Sequence, residues 1–131
     1  MRDSLGGAVN RLTPLILGLA LGYVQADFSV SSKANVITPD HRPADRCAVA
    51  ITGSNEPPRE SYWWRAFRGH FTESQLTSSY RPMYVHVRCQ GWRLVLRTLI
   101  YRRGRGWSGD SVTFFAGAKP VDLGTITLQP P

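Results

Sequence analysis

The feature that most constrains this chain is a period of two running from Tyr80 to Arg102. Met83, Val85, Val87 and Cys89 alternate with Tyr84, His86, Arg88 and Gln90, the pattern of a strand buried on one side. Past Gly91, Trp92, Leu94, Leu96, Thr98 and Ile100 alternate with Arg93, Val95, Arg97, Leu99 and Tyr101. Two strands meeting at a tight turn around Gln90-Gly91 satisfy both runs. The apolar set of each then faces the core, and Arg93, Arg97 and Tyr101 share the other face.

The rest of the chain adds short strands. Arg46 to Gly53 puts Cys47, Val49 and Ile51 on one face and Ala48, Ala50 and Thr52 on the other. Tyr62 to Phe67 is read as a strand because of its aromatic content, Arg68-Gly69-His70-Phe71 as a bulge or bend, and the strand then continues to about Leu76. Arg102 to Asp110 is a basic, glycine-rich loop, and Val112 to Phe115 a short edge strand. From Pro120 to Leu128 the apolar residues change parity, Val121 and Leu123 against Ile126 and Leu128, and a bulge at Gly124 would restore one buried face. Residues 27–45, rich in Ser and Pro, are expected to be an extended or disordered linker contributing little core. With no helix-length pattern, the fold class is all-β: a single antiparallel β-sandwich of immunoglobulin or prealbumin kind over residues 46–131.

The N-terminus predicts export. Arg2 and Arg11 precede the apolar run Leu15 to Leu21, and Val24-Gln25-Ala26 offers a cleavage site, so residues 1–26 read as a signal peptide. The run is shorter than the roughly 20 apolar residues that span a bilayer, so no transmembrane anchor is expected in the mature chain. Cleavage lowers the formal net charge from +7 only by one, through loss of Arg2, Arg11 and Asp3. Almost all the positive charge is arginine, suited to phosphate and carboxylate and to stacking on aromatics. Cys47 and Cys89 are the only cysteines, and in a secreted or periplasmic domain they are expected to form a disulfide contributing about 3 to 4 kcal/mol.

Val49 to Gly53, Gly69 to Phe71, Tyr84 to Gly91 and Val121 to Leu128 follow the order Val-x-Ile-Thr-Gly, Gly-x-Phe, Tyr-x-Val-x-Val-x-Cys-x-Gly and Val-Asp-Leu-Gly-Thr-Ile-Thr-Leu. In this the chain resembles carboxypeptidase regulatory-like, or prealbumin (transthyretin)-like, domains. It departs from them in lacking their opening strand and in carrying Arg68-Gly69-His70 before the phenylalanine. The resemblance implies an accessory module of envelope proteins without catalytic residues. The hydroxyisourate hydrolases of the same fold end in Tyr-Arg-Gly-Ser, whereas this chain ends Leu128-Gln-Pro-Pro, so their activity does not carry over.

The residues offer little chemistry. Gly104 to Gly109 matches G-x-G-x-x-G, but no helix follows to receive a pyrophosphate. His41, His70 and His86 have no metal-ligand spacing, so neither a metal nor a cofactor is expected. Ser108, Asp110 and His70 form a triad only on paper, the basis of a small secreted hydrolase as the weakest alternative. Two surface groups stand out. Arg93, Arg97, Tyr101, Arg102, Arg103, Arg105 and Trp107 could make an anion-binding stripe for acidic glycan, lipopolysaccharide or lipid head groups, in preference to nucleic acid. Tyr62, Trp63 and Trp64, with Phe67, could make a protein-binding patch. The expectation is a non-enzymatic exported binding or structural module of the cell envelope, with an envelope protein or an anionic surface polymer as partner.

Overall fold

The computed structural model describes residues 28–77, 80–109 and 119–131. Among these residues there are eight strands and no helix: β1 Phe28–Ile37, β2 Cys47–Thr52, β3 Arg65–Phe67, β4 His70–Thr77, β5 Met83–Cys89, β6 Val95–Arg102, β7 Gly106–Ser108 and β8 Val121–Thr127. They form a three-stranded sheet in the order β4-β1-β8 and a five-stranded sheet in the order β3-β2-β5-β6-β7. The signal peptide and the Val112 to Phe115 strand read from the sequence lie outside the described residues.

One core joins the two sheets. Val30, Ala34 and Val36 of β1, Phe71 of β4 and Val121 and Ile126 of β8 meet Val49 and Ile51 of β2, Val85 and Val87 of β5, Leu99 of β6 and Trp107 of β7. Burial of so many branched side chains, each contributing about 1.5 to 3 kcal/mol, drives the sheets together.

The segment expected to be a linker is instead the middle of a sheet. β1 pairs antiparallel with β4 from Phe28 opposite Thr77 to Asn35 opposite His70, and parallel with β8 from Ser32 opposite Val121 to Ile37 opposite Thr127. The sheets are therefore not wholly antiparallel. Its inward set, Val30, Ser32, Ala34 and Val36, is buried but small and partly polar. That composition hides a core strand from a hydrophobicity reading.

In β8 the expected bulge is present. Lys33 and Asn35 of β1 face Asp122 and Thr125, so β8 carries one extra residue there. Gly124 takes φ 73° and donates its N–H to the Asp122 carboxylate at 2.8 Å. The shift lets Val121, Ile126 and Leu128 all reach the core.

The chain changes sheets between β3 and β4. Gly69, at φ 72°, donates to Ala44 O at 2.7 Å and accepts from Val36 N–H at 2.8 Å. A Cβ there would stand 2.8 Å from Pro43 Cβ, so no other residue fits without a shift. The bend read from Arg68-Gly69 is thus a corner between sheets.

The disulfide joins Cys47 and Cys89, directly opposite each other on β2 and β5 with Cα atoms 4.0 Å apart. It staples two strands of one sheet. One strand on, the sequence reading is overturned. Met83, Val85 and Val87 pair with Leu99, Arg97 and Val95, so the odd-numbered residues of β6 face inward. A two-residue turn at Gln90-Gly91 would have set Cys89 against Trp92. The turn takes in Trp92, whose N–H bonds Cys89 O at 3.0 Å, and the one-residue slip reverses every side chain that follows. Leu99 is buried, while Leu96 and Ile100 are 41% and 43% exposed.

Candidate functional site

The residues of the expected basic stripe do not form one surface. Trp107 is buried in the core, and Arg97 and Tyr101 are half-buried on the core-facing parity of β6. Tyr101 stacks on Tyr80, with centroids 4.1 Å apart, and meets Trp107 edge-on at 5.4 Å. Arg93 lies beyond the other end of β6, its N–H bonded to Gln129 O. Arg102, Arg103 and Arg105 stay together and exposed in the turn between β6 and β7. That turn is closed by Arg105 N–H on Arg102 O at 2.9 Å, so the stretch expected to be an open loop is largely a hairpin.

Tyr62, Trp63 and Trp64 do stay together, but in a loop rather than a strand. Pairing with β2 begins only at Arg65 opposite Val49. The preceding residues fold over the outer face of the five-stranded sheet, where Trp64 lies on His86 and Arg88 of β5. Beneath them lies His86, which shares its parity with Tyr84 and Arg88 as expected, yet is fully buried rather than a surface residue. Its Nε2 lies 2.9 Å from Ser54 O and 3.0 Å from Thr52 Oγ1. A carbonyl can only accept, so the neutral ring carries its proton on Nε2. Burial holds the imidazole below the usual histidine range, against the opposing pull of the Ser54 carbonyl. Nδ1 is buried with no hydrogen-bond partner among the described residues.

Trp64 closes over this histidine. Its ring meets His86 edge-on at 6.5 Å, and the Arg88 guanidinium lies 4.1 Å from its centroid while pairing with Glu60. Trp64 Nε1 donates to Arg59 O at 3.2 Å, and Tyr62 OH to Ile51 O at 3.3 Å. Trp64 N–H donates to Tyr62 O at 2.9 Å, closing a three-residue turn with Trp63 at its centre. Trp64 is held on His86, and Trp63 is 90% exposed.

Trp63 stands at the mouth of the corner between the sheets. From Gly69, β3 and β4 diverge into different sheets. The space between Trp63-Trp64-Arg65 and Glu73 to Leu76 of β4 is a groove of about 470 Å³, lined also by Ser29 of β1. Arg65 Nε faces Glu73 Oε1 across it at 4.0 Å. Leu76, 66% exposed, borders both this groove and a second hollow of about 400 Å³ reaching Tyr62 and Met83. Phe67 faces inward and packs on Phe71, 5.1 Å between centroids, so it belongs to the core and not to the patch. The sequence reading missed Leu76, Glu73 and His86. The first two come from a strand in the other sheet.

A larger groove of about 570 Å³ lies under Thr38, Asp40, Arg42, Asp45, Arg46, Gln90 and Trp92. Its charges are already engaged, Arg42 with Asp40 at 3.2 Å, Arg68 with Asp45 at 3.7 Å and Arg46 with Gln90 at 3.3 Å. His70 and Ser108, two of the three residues of the paper triad, lie in different sheets, and Asp110 is outside the described residues. Among the described residues no group of three or more His, Cys, Asp or Glu could hold a metal ion, and no helix is long and apolar enough to cross a membrane. No family model, curated protein or solved structure matches the chain.

Proposed function

We propose that this chain is a non-enzymatic binding module of the cell envelope, exported by cleavage after Ala26, and that it docks a partner on the corner formed by Tyr62, Trp63 and Leu76. The observation that carries the reading is Trp63, a large aromatic 90% exposed beside a second exposed apolar side chain and an open groove. Exposed apolar groups gathered at a concave edge mark interaction surfaces, whereas singly scattered ones do not. Two sheets around one core, with a disulfide between neighbouring strands of the larger sheet, are consistent with a β-sandwich of prealbumin-like kind in an oxidising compartment.

The test is a photo-crosslinkable residue placed at position 63 in the exporting cell, with position 125 on the far edge as control. A discrete adduct from position 63 alone is expected, on protein that has lost residues 1–26. Equal labelling from both positions, or no adduct, would overturn the reading. A second reading, binding of an acidic glycan, is favoured by the three exposed arginines of the Arg102 to Arg105 turn beside the Tyr80–Tyr101 stack. It predicts retention on heparin that falls steeply with salt.

A further inference from the structure

The occupant of this corner can be named from the strand that borders it. Among the described residues four strands end the two sheets: β3 and β7 in one, β4 and β8 in the other. β3 and β7 are three residues long, and β8 is interrupted by the Gly124 bulge. Short or bulged strands are the usual protections of a sheet edge. β4 has neither protection. It runs eight residues in unbroken register with β1, His70-Phe-Thr-Glu-Ser-Gln-Leu-Thr77, without proline, lysine or glycine.

Which of its backbone groups are open follows from the ladder. Val36 N–H donates to Gly69 O, which makes Asn35 and His70 a pair that exchanges no backbone bonds. Ala34–Phe71, Ser32–Glu73 and Val30–Gln75 are then the bonded pairs. The N–H and C=O groups of Thr72, Ser74 and Leu76 therefore point away from β1. Beside them run the groove and the Trp63 side chain.

We infer that the free edge of β4 pairs antiparallel with β4 of a second copy of this chain, joining two three-stranded sheets into one of six strands, with Trp63 of each copy closing over the joint. This rests on the reading of the Tyr62 to Leu76 corner as a binding surface and names what fills it.

Two features favour a copy over a foreign strand. Identical strands paired antiparallel close a two-fold dimer that uses up both β4 edges and leaves only the bulged β8 at each end of the joined sheet. The chain also carries a formal charge of +7, so most of its surface repels another copy, but at this corner Arg65 and Glu73 cancel. A two-fold axis at Ser74 keeps Glu73 from facing itself. It sets Glu73 opposite Gln75 of the second copy, and Thr72 opposite Leu76, so that the outward groups exchange bonds.

The experiment is sedimentation equilibrium of the exported, oxidised protein, wild type and three variants. Wild type is expected to be a dimer. Thr72→Pro removes one outward N–H without touching the ladder to β1, and Thr72→Lys adds a charge at the joint. Each is expected to weaken dimerisation at least tenfold, while Thr125→Lys on β8 leaves it unchanged. Thr72→Lys also guards against a misfolded proline variant, since its far-ultraviolet spectrum and melting midpoint should match wild type. A dimer that persists in both Thr72 variants, or a wild type monomeric up to the highest concentration reached, overturns the inference. In the second case an adduct from position 63 with a foreign protein removes self-pairing alone, and absence of any adduct removes both readings.

Discussion

The aromatic corner and the arginine turn are both surface groups suggested by residue type, and folding treats them differently. Tyr62, Trp63 and Trp64 are neighbours in the chain and stay neighbours in space, with Trp64 set on His86 and Trp63 left exposed at the centre of a tight turn. The arginine group was assembled from strand parity. A turn that takes in one more residue sends Arg97 and Tyr101 to the core side and leaves only Arg102, Arg103 and Arg105 together. A patch drawn from contiguous loop residues does not depend on register, whereas one drawn along a strand does.

If that contrast is right, the corner should depend on the β2–β5 pair and the arginine turn should not. Replacing both cysteines, Cys47→Ala with Cys89→Ala, removes the link between those strands. It is expected to cost about 3 to 4 kcal/mol, read from the urea midpoint. Native exchange should then speed up in the amides of residues 53–64 before those of residues 101–108. Uniform speeding over both would mean that the two regions share one unit of unfolding.

A smaller effect is expected at the aromatic pair itself. Trp64→Ala strips the cover from His86 and its packing on Arg88, at a cost of about 2 kcal/mol. Tryptophan emission should shift red as the loop loosens. A cost under about 0.5 kcal/mol, the range of ordinary surface changes, would show that the loop is held by its backbone bonds instead.

Acid should act on the same seat. Burial holds the folded pKa of His86 below the ordinary histidine value of 6.5, so the unfolded state, or a state with the loop lifted, binds more protons. Its stabilising contribution is complete above pH 6.5 and is lost as pH falls from there through the folded pKa. The cover itself carries an ion pair, Arg88 over the Trp64 ring and bonded to Glu60. Fluorescence of wild type should change over that range, and His86→Asn should flatten the change. An identical profile in the variant would assign the titration elsewhere.

How much of this was legible in the sequence depends on the range of the interaction that decides each feature. The disulfide partners, the Gly124 bulge and the Gly69 bend rest on backbone and covalent rules that act over a few residues or on cysteine count. β1 was not legible, because burial of Val30, Ser32, Ala34 and Val36 needs β4 and β8, both distant in the chain. The burial of His86 depends on Ser54 and Trp64 folding back over it, and no periodicity on β5 announces that. The corner is legible only by half. Its aromatic wall comes from one loop, and the edge facing it from a strand in the other sheet.

The smallest effects are expected where the comparison is sharpest. Trp63→Ala and the pair Arg102→Ala with Arg103→Ala both alter exposed side chains, so each should leave stability within about 0.5 kcal/mol of wild type. Their binding readouts should separate. Loss of two exposed charges should lower the salt concentration that elutes the protein from heparin, because attraction between exposed charges is what salt screens. Trp63 carries no charge and stands over β4, at the edge of the other sheet from that turn. Its removal should leave elution unchanged while weakening docking at the corner, read as loss of dimer in sedimentation equilibrium. If Trp63→Ala also lowers the elution salt, the aromatic side chain and the arginines serve one ligand. The division of the surface into an apolar corner and a basic turn would then be wrong, even with the fold as described.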